Sequence, residues 1–402
     1  MKILVAKCFA ALIAMSFASS AEAQQPRKLV GQLDEVRFEC DRYDGDTDDP
    51  VLTTMNNHLA VISRIAPWRG FALRLNADCN ANVFERMVSW DANKTIWDLR
   101  QYRPGQYVYQ IGTGQFGYWH GSLWFRNNAG ELVPPFFPIP SGPIDPHVSV
   151  ARGGETNFFL NYVTRLVGVD KYIIDTEVRG FLPSNHEVFR WTSKDRVPVE
   201  WSKAVIGDKR FEDRLHVNSI QVLNDALVVG ARDLDAVMLI SLAEGKMLDA
   251  IRAPDWTFVN DPAGGFRKAH TPQITPRGTL LLFDNGWTRE KPYPSRAVEY
   301  QLDFKAKTAT LIWEHKATET YPNRNTMGSI METPDGRRII GWGALDQMRA
   351  CRAEQMIQMY SILRDGKLLR EVRMPCGWSS YAVRPDTPDQ SAPYALADFM
   401  KP

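Results

Sequence analysis

Cysteine is scarce in this chain and never placed at metal-binding spacing. There are 5 cysteines in 402 residues and no Cys-x-x-Cys pair, which excludes the common structural zinc and dithiol motifs. Charge of one sign is not in excess either: 48 Lys and Arg face 47 Asp and Glu, for a net charge of +1. A balance of that kind gives no electrostatic ground for a nucleic-acid or membrane-surface partner. Beyond residue 18 no apolar run is long enough to span a bilayer. Sustained helical periodicity is rare, and no phosphate loop is present. Glu244-Gly245-Lys246 and Asp365-Gly366-Lys367 lack the earlier glycine and the following Ser or Thr. Histidine is sparse, at 7 residues, so where each one falls carries information.

What is present begins with a leader. Lys2 and Lys7 precede an apolar stretch from Cys8 to Ala18, and Ala21-Glu22-Ala23 has the small-x-small pattern of a secretory cleavage site. Residues 1–23 are therefore expected to be a signal peptide and the mature, neutral chain to start at Gln24, in a periplasmic or secreted setting. Cys40, Cys79, Cys351 and Cys376 remain after cleavage. An even number in an exported protein favours disulfides, with three possible pairings. The local pairs Cys40–Cys79 and Cys351–Cys376 are preferred because each closes a modest loop near one end of the chain.

Aromatic residues are abundant (12 Trp, 13 Tyr, 19 Phe), and Gly and Pro punctuate the chain often enough to favour short strands. Three stretches share one layout: a polar opening residue (His216, His270, Thr326), an apolar run, a turn (Asn224-Asp225, Arg277-Gly278, Asp335-Gly336), then further strands. Matching positions fall at 227, 280 and 339, close to the period of four-stranded propeller blades. A more divergent copy opens at Asp145-Pro146-His147, and Gly377 to Val383 repeats the theme once more. The expectation is an all-β, six-bladed β-propeller over 105–402, with a small N-terminal extension or subdomain over 24–104 that possibly includes a divergent blade. Within that extension, Asn82 to Arg100 reads as helical. Asp44, Asp46 and Asp48 read as a solvated acidic loop, since the glycine and glutamate of a calcium loop are missing.

His147, His216 and His270 take equivalent opening positions in successive units, and a propeller brings such positions together around its channel. One histidine at a blade corner is more often structural; three in register, with Asn218 and Arg232 beside the second, favour a site. The motifs His216-Val217-Asn218-Ser219-Ile220, Ala231-Arg232, Phe283-Asp284-Asn285-Gly286, Ser295-Arg296-Ala297-Val298-Glu299-Tyr300 and Asp145-Pro146-His147 resemble the arylsulfotransferase family of exported β-propellers. The resemblance covers roughly residues 107–383. It implies sulfuryl transfer from an aryl sulfate donor to a phenolic acceptor, with no nucleotide donor and no cofactor or metal, through a covalent sulfohistidine. By position, His270 takes the place of the nucleophile and His216 and Asn218 its neighbours. Arg232 takes that of the cation on the sulfuryl oxygens and His147 that of the third histidine. Thr326 corresponds to a further polar contact. Ala269-His270-Thr271 departs from the Gln-His-Asp common in the family, and the N-terminal region is shorter than the β-domain some members use to dimerise.

The chemistry is self-consistent. A neutral imidazole attacks sulfur, a fixed guanidinium holds the oxygens, and a second histidine exchanges the phenol's proton. Asp284 and Asn285 read as a tight turn and not as a catalytic acid. Arg296 has two readings, an anion ligand at the channel or a brace on that turn through Asp284. The rival functions are a three-histidine metal site, a propeller polysaccharide lyase and a non-catalytic binding platform. The oligomeric state stays open.

Overall fold

The computed structural model describes residues 25–34, 36–57, 68–89, 94–115, 118–194, 196–198, 201, 211–286, 293–317, 327–344, 355–388 and 392–400. Among them there is no α-helix, only strands, turns and short 3-10 segments. Six sheets are arranged as the blades of a propeller.

Blade 1 is built from both ends of the chain: Trp378–Pro385 is its innermost strand, followed outward by Val51–Asn57, Trp68–Leu75 and Ala81–Ser89. Blade 2 holds Lys94–Arg103, Gln106–Gln115 and Tyr118–Asn127. Blade 3 starts at Ala151–Gly153 and continues through Thr156–Gly168, Lys171–Phe181 and Glu187–Thr192. Blade 4 runs Val217–Val222, Ala226–Ala231, Ala236–Ser241 and Met247–Ile251. Blade 5 runs His270–Ile274, Leu280–Asp284, Arg296–Asp303 and Thr308–Lys316. Blade 6 runs Ser329–Glu332, Arg338–Gly341, Met356–Arg364 and Lys367–Pro375, and the hairpin Arg27–Leu33/Val36–Arg42 extends its outer edge. The tail segment 377–383 is thus the inner strand of the first blade and not a blade of its own.

Each sheet is apolar on both faces, so each junction between neighbours buries its own core. Leu52, Phe84 and Ile96 join blades 1 and 2, Phe125 and Phe159 join 2 and 3, and Val178 and Val229 join 3 and 4. Leu239 and Leu282 join blades 4 and 5, Phe283 and Ile340 join 5 and 6, and Tyr360 and Phe71 join 6 and 1. Closing the ring leaves no long inner edge to water. Cys40 on the edge of blade 6 is bonded to Cys79 beside blade 1 (Cα–Cα 6.0 Å), a staple across the closure. A bridge closing 39 residues contributes about 4 kcal/mol by the loop-entropy relation. Cys376 is also disulfide-bonded; Cys351, its expected partner, lies outside the described residues.

Two local expectations are corrected. Within 82–100 the described residues are strand, in Ala81–Ser89 and Lys94–Arg103. The second strand is buried along nearly its whole length between two blades, so it shows no alternation to read. The acidic turn is not simply solvated. Asp46 is buried and accepts from Arg42 Nε (2.7 Å) and Arg370 Nε (2.8 Å), tying the turn to the last blade.

Candidate active site

The innermost strands of blades 1, 2, 4 and 5 each carry a register shift near their N-terminal ends: Ser380/Val383, Trp97/Arg100, Val217/Ser219 and His270/Gln273. Such bulges re-aim side chains. The dihedrals agree, with positive φ at Asp98 (40°), His216 (48°) and Thr271 (47°). Inner strands touch from blade 3 through blades 4, 5, 6 and 1 to blade 2, so these re-aimed residues meet at one end of the channel.

His270 is 3% exposed. Its Nδ1 lies 2.6 Å from Asn285 Oδ1 and 3.2 Å from the Lys268 carbonyl oxygen, both acceptors. The Asn285 amide is oriented by its own Nδ2, which donates to the Met327 carbonyl (2.9 Å). Nδ1 must therefore carry the proton, and Nε2 keeps the lone pair. Burial, then the Arg232 charge, with further contributions from His216 and His147, push the imidazole down to about 3 against the pull of the Asn285 hydrogen bond. This ring is neutral across the ordinary pH range.

The other two histidines are backed by carboxylates. His147 Nδ1 is 2.5 Å from Asp145 Oδ1, and the Asp145 side chain is buried. His216 Nδ1 is 3.2 Å from Asp213 Oδ2, whose other oxygen accepts the His216 backbone N–H at 2.8 Å. The two rings meet edge to face with centroids 4.6 Å apart. His147 is deep, whereas the His216 side chain is 25% exposed. Trp97 and Tyr381 complete an aromatic wall at 5.0 and 5.9 Å from His147. The Tyr381 hydroxyl donates to the Asn218 carbonyl (3.2 Å), and burial holds its phenol far above the usual range, so it stays protonated.

Arg232 opens a 3-10 turn, Arg232–Leu234, that leaves the second strand of blade 4. Its backbone N–H bonds the His216 carbonyl (3.2 Å) and its Nη1 meets Asp233 Oδ1 at 2.9 Å. Lys268 Nζ reaches the same oxygen at 2.9 Å. Asn218 Nδ2 donates to the Ala269 carbonyl (2.8 Å), tying the His216 strand to the residue before His270. Among the described residues no group of His, Cys, Asp or Glu, the three histidines included, is spaced to hold a metal ion.

The five strongest sequence candidates, His147, His216, Asn218, Arg232 and His270, are therefore brought together. Arg296 is not among them. Its fully buried guanidinium is spent on Asp284 (2.9 Å), Asp261 (2.9 Å) and Glu314 (3.1 Å), so it braces the turn and is no anion ligand. Asp284 keeps the turn role expected of it, with Oδ1 accepting the N–H groups of Arg267 and Gly286. Its neighbour Asn285 does more than turn the chain, since it sets the His270 tautomer. Thr326 lies outside the described residues. Sequence reasoning also passed over Trp97, Tyr381, Asp213 and Lys268. Only Tyr381 had a signal, its place in the repeated tail unit.

Residues 181–361 match the family model described as Arylsulfotransferase (ASST). That span carries His216, Asn218, Arg232, His270 and Asn285, while Trp97, His147 and Tyr381 fall outside it. The arylsulfate sulfotransferase AssT of Escherichia coli O6:H1 is 35% identical over 82 residues, which is 18% of this chain and 14% of that protein. The protein of the same name from Lelliottia amnigena is 33% identical over 78 residues, 18% of this chain and 13% of its own length. The alignments thus span about a seventh of these relatives. Among solved structures, a protein of unknown function from Bacteroides caccae aligns with 84% of this chain and 98% of its own, at 7% identity and a TM-score of 0.46. The matched span encloses four of the five converging residues, so over 181–361 the chain is similar to the arylsulfotransferase family.

Proposed function

We propose that the protein is an exported sulfotransferase. It moves a sulfuryl group from an aryl sulfate ester to a phenol through His270, without a nucleotide donor. One observation supports this most: a buried histidine whose proton is committed to a neutral amide, leaving Nε2 as a nucleophile beside a guanidinium.

In the first half-reaction the Nε2 lone pair forms a bond to sulfur as the bond from sulfur to the aryl oxygen breaks. The departing phenolate takes a proton from His216, whose ring is steadied by Asp213 and by the edge of His147. Arg232 draws charge onto the sulfuryl oxygens in a site with little water to compete. In the second half-reaction the acceptor phenol returns its proton to His216 and attacks sulfur, and the nitrogen–sulfur bond breaks. His216 suits the exchange because it alone of the three histidines is partly exposed. The flat Trp97 and Tyr381 rings offer a stacking wall for both aryl groups. The proposed leader, residues 1–23, lies outside the described residues; no helix among those described is long and apolar enough to cross a membrane.

The deciding experiment is intact-protein mass spectrometry after brief mixing with 4-nitrophenyl sulfate and no acceptor, beside His270→Ala. One added sulfuryl group, missing from the variant and discharged by phenol, is the expected result. Absence of both adduct and nitrophenolate release from the wild type overturns the assignment.

A further inference from the structure

Three charged side chains converge beside the proposed nucleophile in a way the transfer chemistry alone does not require. Asp233 Oδ1 accepts from Arg232 Nη1 at 2.9 Å and from Lys268 Nζ at 2.9 Å, so two cations share one carboxylate oxygen. The Arg232 charge acts directly on His270 as the strongest on its ring, and Lys268 is tied to that ring through its backbone carbonyl, which accepts from Nδ1. The backbone is built to hold this knot. Asp233 lies in the 3-10 turn with its N–H on the Leu215 carbonyl (2.9 Å). Lys268 has φ of 53°, and its N–H bonds Asp235 Oδ1 at 2.8 Å, so Asp235 is occupied with the backbone and with Arg267 Nε at 3.8 Å. Burial pushes the Asp233 carboxyl up, but His216, Arg232 and Lys268 outweigh it and hold Asp233 below its usual value, hence ionised.

We propose that Asp233, by pairing Arg232 and Lys268 on one carboxylate, makes this site accept the singly charged sulfate esters of phenols and reject the more highly charged phosphate esters of the same phenols. The two esters have nearly the same shape. They differ in charge, because a phosphate monoester carries about −1.5 to −2 near neutral pH and a sulfate monoester a single negative charge. Two free cations would favour the more highly charged ester. A carboxylate between them, with Asp145 and Asp213 behind the histidines, leaves a field strong enough for one negative charge and costly for a second. Asp233 is thus a specificity determinant that acts through Arg232 and Lys268, and need not touch the substrate. This inference rests on the proposed aryl sulfate chemistry.

The test is calorimetric binding of 4-nitrophenyl sulfate and 4-nitrophenyl phosphate in a His270→Ala background, where no donor is consumed. Asp233→Asn should tighten the phosphate ester by about tenfold or more relative to the sulfate ester, as expected for one unit of charge removed at close range. Asp233→Glu should restore the original preference. Lys268→Met, which leaves Asp233 in place, should weaken both esters, the phosphate more. A phosphate-to-sulfate affinity ratio that stays within about twofold in Asp233→Asn overturns the proposal. Should that variant not fold, an unchanged ratio in Lys268→Met overturns it instead. Wild-type turnover of 4-nitrophenyl sulfate is measured separately. If turnover is present and the ratio unmoved, only the charge selection fails; if it is absent, the aryl sulfate reading fails.

Discussion

His270 and His216 head the inner strands of neighbouring blades, and a register shift re-aims the chain at each, yet the atoms behind their rings differ in charge. Behind His270 are an amide oxygen and a backbone carbonyl; behind His216 is the carboxylate of Asp213, and behind its neighbour His147 that of Asp145. A neutral acceptor fixes a tautomer without favouring the imidazolium. A carboxylate fixes the tautomer and also makes the protonated ring affordable. One blade therefore presents a ring held neutral with its lone pair free, and the other two present rings backed by negative charge. In the proposed mechanism, the division of labour between nucleophile and acid–base lies in which second residue each ring touches.

Replacing the lone pair should have the largest effect. His270→Ala is expected to lower aryl sulfate turnover by at least ~10³-fold while circular dichroism and melting stay close to wild type. A variant that keeps full activity breaks the comparison at once. Next is the carboxylate side. Asp213→Asn should cost about 10- to 100-fold in kcat with phenyl sulfate, and clearly less with 4-nitrophenyl sulfate, whose leaving group needs little protonation. Equal losses on the two donors would remove His216 from the proton exchange. A smaller effect comes from making the two sides alike. Asn285→Asp places a carboxylate behind His270 and raises its pKa, so activity should fall about tenfold near pH 6 and recover on the alkaline side. A pH profile indistinguishable from wild type would mean the amide is only a structural contact.

The smallest signal is in stability. His270 titrates at about 3 in the folded protein, below the usual histidine range, so between those values the unfolded chain binds the extra proton. Its contribution is complete above the unfolded pKa and is lost as the pH falls toward about 3. The melting temperature of wild type should therefore drop relative to His270→Asn as the buffer is taken from pH 7 to 4.5. Parallel curves would show that the ring is not held neutral.

Much of this was legible in the linear chain. The blade repeat made the register of His147, His216 and His270 visible, because opening positions of successive blades must meet at the channel. Arg232 and Asn218 followed from their place beside one of those histidines. The rest depends on contacts the repeat does not encode. Asn285 is followed by a glycine and has every local mark of a turn residue; its second role appears only when the His270 strand is laid beside it. Trp97 was hidden in a strand buried on both faces, which carries no alternating pattern. Arg296 was balanced between two roles until its three carboxylate partners came together from distant parts of the chain.

The first blade borrows its inner strand from the far end of the chain, with Val51 paired to Pro385 and Asn57 to Trp378. That strand also carries Tyr381, which walls the site and bonds the Asn218 carbonyl. On a ribosome the three histidines emerge long before Tyr381, the later half of their aromatic wall. The outer strands of the first blade wait for a partner more than three hundred residues away. The proposed site is thus among the last things the molecule completes. An unfinished chain holds His270 without the Tyr381 wall, so the proposed sulfuryl transfer would begin only once synthesis and ring closure are done.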